Sequence, residues 1–458
     1  MSFDKIDKII NKINYIIIYI LILLLPISTI LSFYSDYFEF LKNFKYNIYD
    51  ILYLIIPIEI FIYTYNIIRK KTKITMFDIL LYLLIILGII SLSFSIDYQT
   101  SLWGAYLRNE GFLSIFSYYL LFLNSKDIVT KEQTKKIIKL FMIVGIMQFV
   151  WSILQVFVRG PYQIEILDGI KYMALGFNKN PNFLASYMML LLGITISSYL
   201  LNKNSKKYLF LTIIFFITLI LAASTGPFLA LIITLIFLIL FLKIKKKLVW
   251  KKVLILIITL ISTYIVTDFI SDTIFINCYH DDINSNYTIK GDLKNTSKLF
   301  LNKLDKNQKT NYGSGRMVIW KNILTMVPDY MLFGSGIDTL GYIYNTRFYT
   351  GMYLDKAHNE YLQILITEGI FTLITYLTLL GVIFFKGLKC KNDLTIILFT
   401  SFVAYCIQAF ANISVTTVAP FFYIITGLLV NQINKEEKLV DCQIVCVDTN
   451  KWWLILGG

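Results

Sequence analysis

The chain has 458 residues, of which 57% are hydrophobic and only 16% charged, and it carries a formal net charge of +14. Average soluble chains hold about a quarter charged residues, so this balance excludes an ordinary soluble domain. The positive excess does not point to nucleic acid either, because no soluble segment offers a basic face.

Apolar runs recur at lengths suited to crossing about 30 Å of hydrocarbon as helix, roughly 20 residues each, whereas barrel strands would alternate over about 10. An all-α polytopic membrane protein is expected. The first run, near 15–33, is long and followed by many more, and reads as a retained span, not a cleaved signal peptide. Spans are expected at about 14–33, 47–68, 76–95, 105–123, 138–158, 183–201, 208–223, 226–242, 253–271, 361–385, 393–411 and 417–432, about twelve in all. They divide the chain into an N-terminal bundle of about nine spans (1–271), an outer loop (272–360), C-terminal spans (361–432) and a tail (433–458).

Orientation follows from the lysines, since short cytoplasmic loops hold the basic excess. Lys5, Lys8 and Lys12, then Arg69 to Lys73, Lys126 to Lys139, Lys203 to Lys207, Lys243 to Lys252, and Lys386 to Lys391 all fall on one side of this arrangement. Both termini are therefore expected in the cytoplasm, with the 272–360 loop outside the cytoplasmic membrane. Most of the +14 is then topogenic lysine facing anionic lipid.

The arginines distribute differently. Of five, only Arg69 falls inside; Arg108, Arg159, Arg316 and Arg347 fall outside. A planar fork of five donors matches phosphate oxygens bidentately as an ammonium does not, so the set suggests a phosphorylated lipid headgroup. Any single one is equally well explained by pairing with Glu110, Glu165 or Asp355.

The outer loop is too long for a connector. Its polar part, 281–309, reads as a flap of low apolar content. From Arg316 to Val327 the spacing of Met317, Ile319, Trp320, Ile323, Leu324 and Val327 predicts an amphipathic helix at the membrane surface, ended by Pro328. Trp320 is one turn from Arg316 and can support its guanidinium. Gly313 and Gly315 before the helix, and Gly334 and Gly336 after it, allow tight turns and close backbone approach. His358 follows at the start of the tenth span, with Asp355 as an N-cap candidate. A helix start disfavours imidazolium, which suits a neutral general base beside an anion. The competing reading is an interfacial histidine bonded to a neighbouring loop; the company of Arg316, Arg347, Asn359 and Tyr361 favours the base.

Metal chemistry is not expected: His280-Asp281-Asp282 is one short cluster in the flap. The five cysteines include no CxxC pair, and only Cys278 lies near the outer face, so no extracellular disulfide is expected. Glu368 reads as a structural partner within the bundle, and residues 439–458 match no pattern.

Several of these runs resemble the O-antigen ligase and O-antigen polymerase superfamily. The specific block is Gly315-Arg316 with Trp320, Phe333-Gly334-Ser335-Gly336, Ala357-His358-Asn359-Glu360-Tyr361-Leu362 and Glu368-Gly369. Arg108-Asn109-Glu110-Gly111 and Gly176-Phe177-Asn178-Lys179-Asn180-Pro181-Asn182 are similar to that family's other outer segments. The resemblance implies a GT-C-like membrane glycosyltransferase without cofactor or metal. It would take a glycan from undecaprenyl diphosphate and transfer it, with inversion, to a glycan, lipid or protein acceptor outside the cytoplasmic membrane. By matching position His358 would be the base, Arg316 would bind the diphosphate and Arg108 would support it. One departure stands out. Family members often have Ser-Arg-Gly where Ser224-Thr225-Gly226 stands here, so that Lys179, Arg159 or Arg347 must supply the charge, or the substrate differs. Polymerase and ligase are not separated by these residues. A second class, a transporter or flippase of lipid-linked glycan, would show ionisable residues within spans or broken helices in paired halves, and the sequence has little of either.

Overall fold

A computed structural model describes residues 3–34, 48–70, 74–106, 108–127, 130–158, 173–178, 180–203, 205–278, 316–348 and 353–452. Among the described residues all regular structure is helical. The first part contributes α1 (Phe3–Tyr34), α2 (Ile48–Lys70), α3 (Met76–Ser93), the short α4 (Tyr98–Trp103), α5 (Phe112–Lys126) and α6 (Lys131–Ile153), which continues as a π turn over Leu154–Val158. A single turn at Gly176–Asn178 leads to α7 (Pro181–Leu201), α8 (Lys206–Leu221), α9 (Thr225–Ile244) and α10 (Trp250–Cys278). The last part is α11 (Arg316–Tyr330), α12 (Leu340–Phe348), α13 (Glu360–Glu368), α14 (Ile370–Lys389), α15 (Asp393–Gln408), a turn at Ala409–Ala411, and α16 (Ala419–Trp452). The expected flap, Gly313, Gly315, Arg159, Lys179 and the His280-Asp281-Asp282 run lie outside the described residues.

Nine of the described helices are long and apolar enough to cross a bilayer, at 4–26, 51–69, 76–93, 131–157, 181–201, 225–244, 250–271, 370–389 and 393–411. The chain is a polytopic helical membrane protein. The remaining three expected spans are also helices, α5, α8 and the start of α16. However, α5 and α8 have only 15 and 16 residues, about 22 and 24 Å at 1.5 Å per residue, short of a bilayer core of about 30 Å. Two expected boundaries are corrected by backbone turns. The fourth span was expected from 105, but positive φ at Gly104 (100°) and Asn109 (50°) folds the chain back, and the helix begins at Phe112. The tenth was expected as one helix over 361–385; Gly369, at φ 88°, divides it into α13 and α14.

Helices already in lipid gain nothing from hiding apolar surface from one another, so close packing and polar bonds must hold them. Two glycines permit that closeness. A Cβ on Gly193 in α7 would stand 2.6 Å from Ser401 Cα in α15, and one on Gly427 in α16 would stand 2.4 Å from the Phe122 carbonyl oxygen in α5. Ser401 Oγ then donates to the Leu190 carbonyl at 2.8 Å. These pairs make α5, α7, α15 and the first half of α16 the buried centre, with serine, threonine and asparagine side chains enclosed among the apolar ones. Around them, α9 and α10 turn out stripes such as Ile232, Ile236 and Leu240, or Leu254, Ile258, Ile261 and Ile265, at helical spacing. Such stripes suit lipid.

Candidate active site

One end of the bundle gathers the turns at 104–111, 176–182, 223–227 and 409–416 together with α11, α12 and α13. Isoleucine and methionine on one side of α11 (Ile323, Met326) pack with Leu340, Ile343, Tyr344, Ala357 and Ile366 into a second small core. Met317, Val318 and Leu324 on the other side stay exposed. The helix therefore is amphipathic, but it runs two residues past Pro328. Proline removes only one backbone donor there, in the last turn, and its fixed φ is a helical one.

The glycine motifs are explained by this docking. Ser335 N donates to the Ile366 carbonyl at 3.1 Å, Gly336 N to Thr367 at 3.0 Å, and Ile370 N to Met331 at 2.8 Å. A Cβ on Gly334 would lie 2.1 Å from the Thr367 carbonyl carbon, and one on Gly369 would lie 2.2 Å from the Leu332 carbonyl oxygen. The close approach permitted by these glycines is of backbone to backbone. Phe333-Gly334-Ser335-Gly336 and Glu368-Gly369 are two halves of one seam between α11 and α13.

Across that seam α11 reaches the histidine segment. Trp320 Nε1 donates to the Ala357 carbonyl oxygen at 2.9 Å, so the tryptophan one turn from Arg316 fixes the residue before His358. The N-cap of α13 is Asn359, whose Oδ1 accepts from Leu362 N at 3.0 Å. Asp355, the expected cap, instead pairs with Arg108. His358 stands just outside the helix at φ 51°, a left-handed conformation that a branched or bulky residue resists. Its Nδ1 has no hydrogen-bond partner among the described residues. Burial first and the Arg316 charge second push the imidazole down to about 4, with Asp355 working the other way. It is therefore neutral at physiological pH, for reasons of burial and a guanidinium neighbour.

Arg108 faces Asp355 on one side and the Phe183 ring, 5.3 Å from its Cζ, on the other. Burial opposes the Asp355 carboxylate, but the bond and charge of Arg108 outweigh it and hold the group below its ordinary range. Arg347 is placed elsewhere. It pairs with the exposed Asp329 at 2.7 Å, which lies at the other end of α11 from Arg316, about 20 Å along the axis. The structure thus brings together Arg316, Trp320, His358, Asn359 and Arg108, and leaves Arg347 apart.

Sequence reading missed a buried ion cluster beneath this group. Lys356 Nζ lies 3.0 Å from Glu110 Oε2 and 2.7 Å from Asp338 Oδ1, with all three side chains almost wholly enclosed. Ser414 Oγ donates to Glu110 Oε1 at 2.6 Å, and Ala105 N to Asp338 Oδ2 at 2.7 Å. Burial pushes the ammonium down, yet Asp338 and Glu110 overcome it and hold Lys356 above its ordinary value. The cluster ties three separate turns to the segment carrying His358. Nearby, the Glu360 carboxyl accepts from Tyr376 at 2.6 Å and Tyr405 at 3.0 Å; burial raises it to about 7. No spacing in the sequence links residues 110, 338 and 356, so only coordinates could reveal the cluster.

The departure at Ser224-Thr225-Gly226 also has a structural counterpart. Arg316 lies against Gly226, in the first turn of α9. A cation from α11 therefore meets this helix start in a chain whose own residue 225 is threonine.

Residues 210–377 match the family model described as O-Antigen ligase. That stretch, 168 of the 458 residues, is similar to the O-antigen ligase family. The matched segment includes Gly226, Arg316, Trp320, Arg347, His358 and Asn359, while Arg108 lies before it. No curated protein matches the chain. The match gives no support to a transport reading.

Proposed function

We propose that the chain transfers or polymerises a glycan carried on undecaprenyl diphosphate, outside the cytoplasmic membrane and with inversion, and that guanidinium groups meet the diphosphate in place of a metal. The observation that carries this reading is the joint placement of Arg316 and His358: α11 holds the former, and through Trp320 fixes the residue preceding the latter. Arg316 is also the first residue of its own helix and lies against the first turn of α9. Helix starts are positive ends, so a guanidinium there builds a field that favours an anion.

The chemistry then follows. An acceptor hydroxyl attacks the anomeric carbon, its proton passes to the imidazole of His358, and the bond from that carbon to the diphosphate oxygen breaks with its electron pair. Undecaprenyl diphosphate leaves, and its growing negative charge is met by Arg316, with Arg108 supporting the segment through Asp355. A diphosphate that offsets the Arg316 charge removes the second of the two causes that depress the imidazole, while burial, the larger one, stays. Holding the lipid tail among the spans keeps the anomeric carbon in reach, which makes transfer effectively unimolecular. Asn359 and Trp320 position the base. Arg347, with Arg159 and Lys179, is left to contact more distant parts of the glycan.

The test is incubation of purified protein with a defined undecaprenyl-diphosphate glycan, with and without a second acceptor. Lengthened chains identify a polymerase, and sugar on the second acceptor identifies a ligase. Arg316→Lys keeps the charge and loses the fork, so donor KM should rise about tenfold, the loss of one charge-assisted contact. Unchanged kinetics would remove Arg316 from the diphosphate.

A further inference from the structure

Gly226 is the second residue of α9, and its φ lies outside the left-handed region, so the backbone does not call for glycine there. Space does. A Cβ at 226 would stand 2.8 Å from the Ala411 Cβ, 3.3 Å from the Ala411 carbonyl oxygen and 3.2 Å from Arg316 Nη1. Carbon atoms in contact sit at about 3.5–4.0 Å, and an alanine has no rotamer with which to yield.

The wall opposite Arg316 is also fixed. Asn412, next to Ala411, donates from Nδ2 to the Asn182 carbonyl at 2.9 Å and to Ser186 Oγ at 2.7 Å, tying that turn to α7. Ser224, the N-cap of α9, donates to Asn182 Oδ1 at 2.6 Å, tying the start of α9 to the same place. Neither side of the gap can move without breaking this joint.

We propose that Gly226 is a positioning residue, whose absent side chain leaves the slot that receives the Arg316 guanidinium beside Ala411. The inference rests on the diphosphate reading above and deepens it by naming what aims the fork. The positive end of α9 repels a guanidinium, so the fit of the slot governs how closely the cation can stand to the helix. An anion bound there meets the fork already in place.

A double-mutant cycle on donor kinetics tests this. Gly226→Ala should raise the KM for the undecaprenyl-diphosphate glycan about tenfold with little change in kcat, as expected for one displaced charge-assisted contact. In an Arg316→Lys background the same substitution should add less than about twofold, because the fork it displaces is already gone. Adding Ala411→Gly to Gly226→Ala opens the opposite wall and should return most of the lost affinity; it also serves as the well-folded variant if Gly226→Ala alone is unstable. An equal Gly226→Ala penalty in both backgrounds would overturn the slot. Should the wild-type protein transfer nothing from this donor, the diphosphate reading fails separately, and phenylglyoxal labelling of Arg316 read by mass spectrometry decides the slot. Labelling several-fold faster in Gly226→Ala upholds it, and equal rates overturn it.

Discussion

At one end of the bundle Lys252 donates to the carbonyl oxygens of Tyr199, Leu200 and Asn202 at 2.6–3.3 Å, closing the C-terminus of α7. At the other end Arg316 stands against the first turn of α9. The first arrangement sets a cation on the negative end of a helix, where it belongs; the second sets one on a positive end, where it is repelled. Three other lysines of the first end are paired with carboxylates: Lys126 with Asp78, Lys247 with Asp393 and Lys386 with Glu437. Beside Arg316 the imidazole of His358 is held neutral, with one ring nitrogen unpartnered among the described residues. The cation at the negative helix end supports the structure, and the one at the positive end is the one that the proposed function assigns to the diphosphate.

The difference can be broken most sharply at the histidine. His358→Ala should reduce transfer by about 10²–10⁴, the range of a lost general base, with protein level unchanged; substantial turnover in that variant would remove the base. Next comes the ion cluster beneath it. Lys356→Met leaves Glu110 and Asp338 buried without their cation and should cost about 3–5 kcal/mol, read as a lower melting temperature in detergent. Acidity gives a finer probe. His358 acts as a base only when deprotonated, and its value is about 4, so kcat/KM should fall as pH drops through about 4, well below the ordinary histidine value near 6.5. A limb at 6.5 would assign the base elsewhere. Smallest of all, Lys247→Ala at the opposite end removes a partly exposed pair, worth about 1 kcal/mol or less, and should leave transfer unchanged.

Much of this was legible in the sequence because the bilayer simplifies it. Apolar runs of fixed length announce spans, and the polar block from Arg316 to Gly369 stands out against them. Hydropathy could not show where a run bends: the break at Gly369 depends on a single φ inside a stretch apolar enough to read as continuous, and the positive φ at Gly104 and Asn109 delays a helix expected from residue 105. Partners far apart in the chain were equally hidden. Asp355 had the type and place of an N-cap, yet Arg108, 247 residues away, took it. Gly334 read as an ordinary turn until it was seen to face the peptide group after Thr367, as Gly369 faces the one after Leu332.

That seam has a consequence for how such a protein can change. Because peptide groups make it, no exchange of side chains on its surface loosens it, and α11 cannot tilt without carrying α13 along. Arginine and histidine thus travel as one rigid jaw. On the function proposed above, a new glycan or acceptor would be accommodated by the turns around the jaw and not by the seam itself.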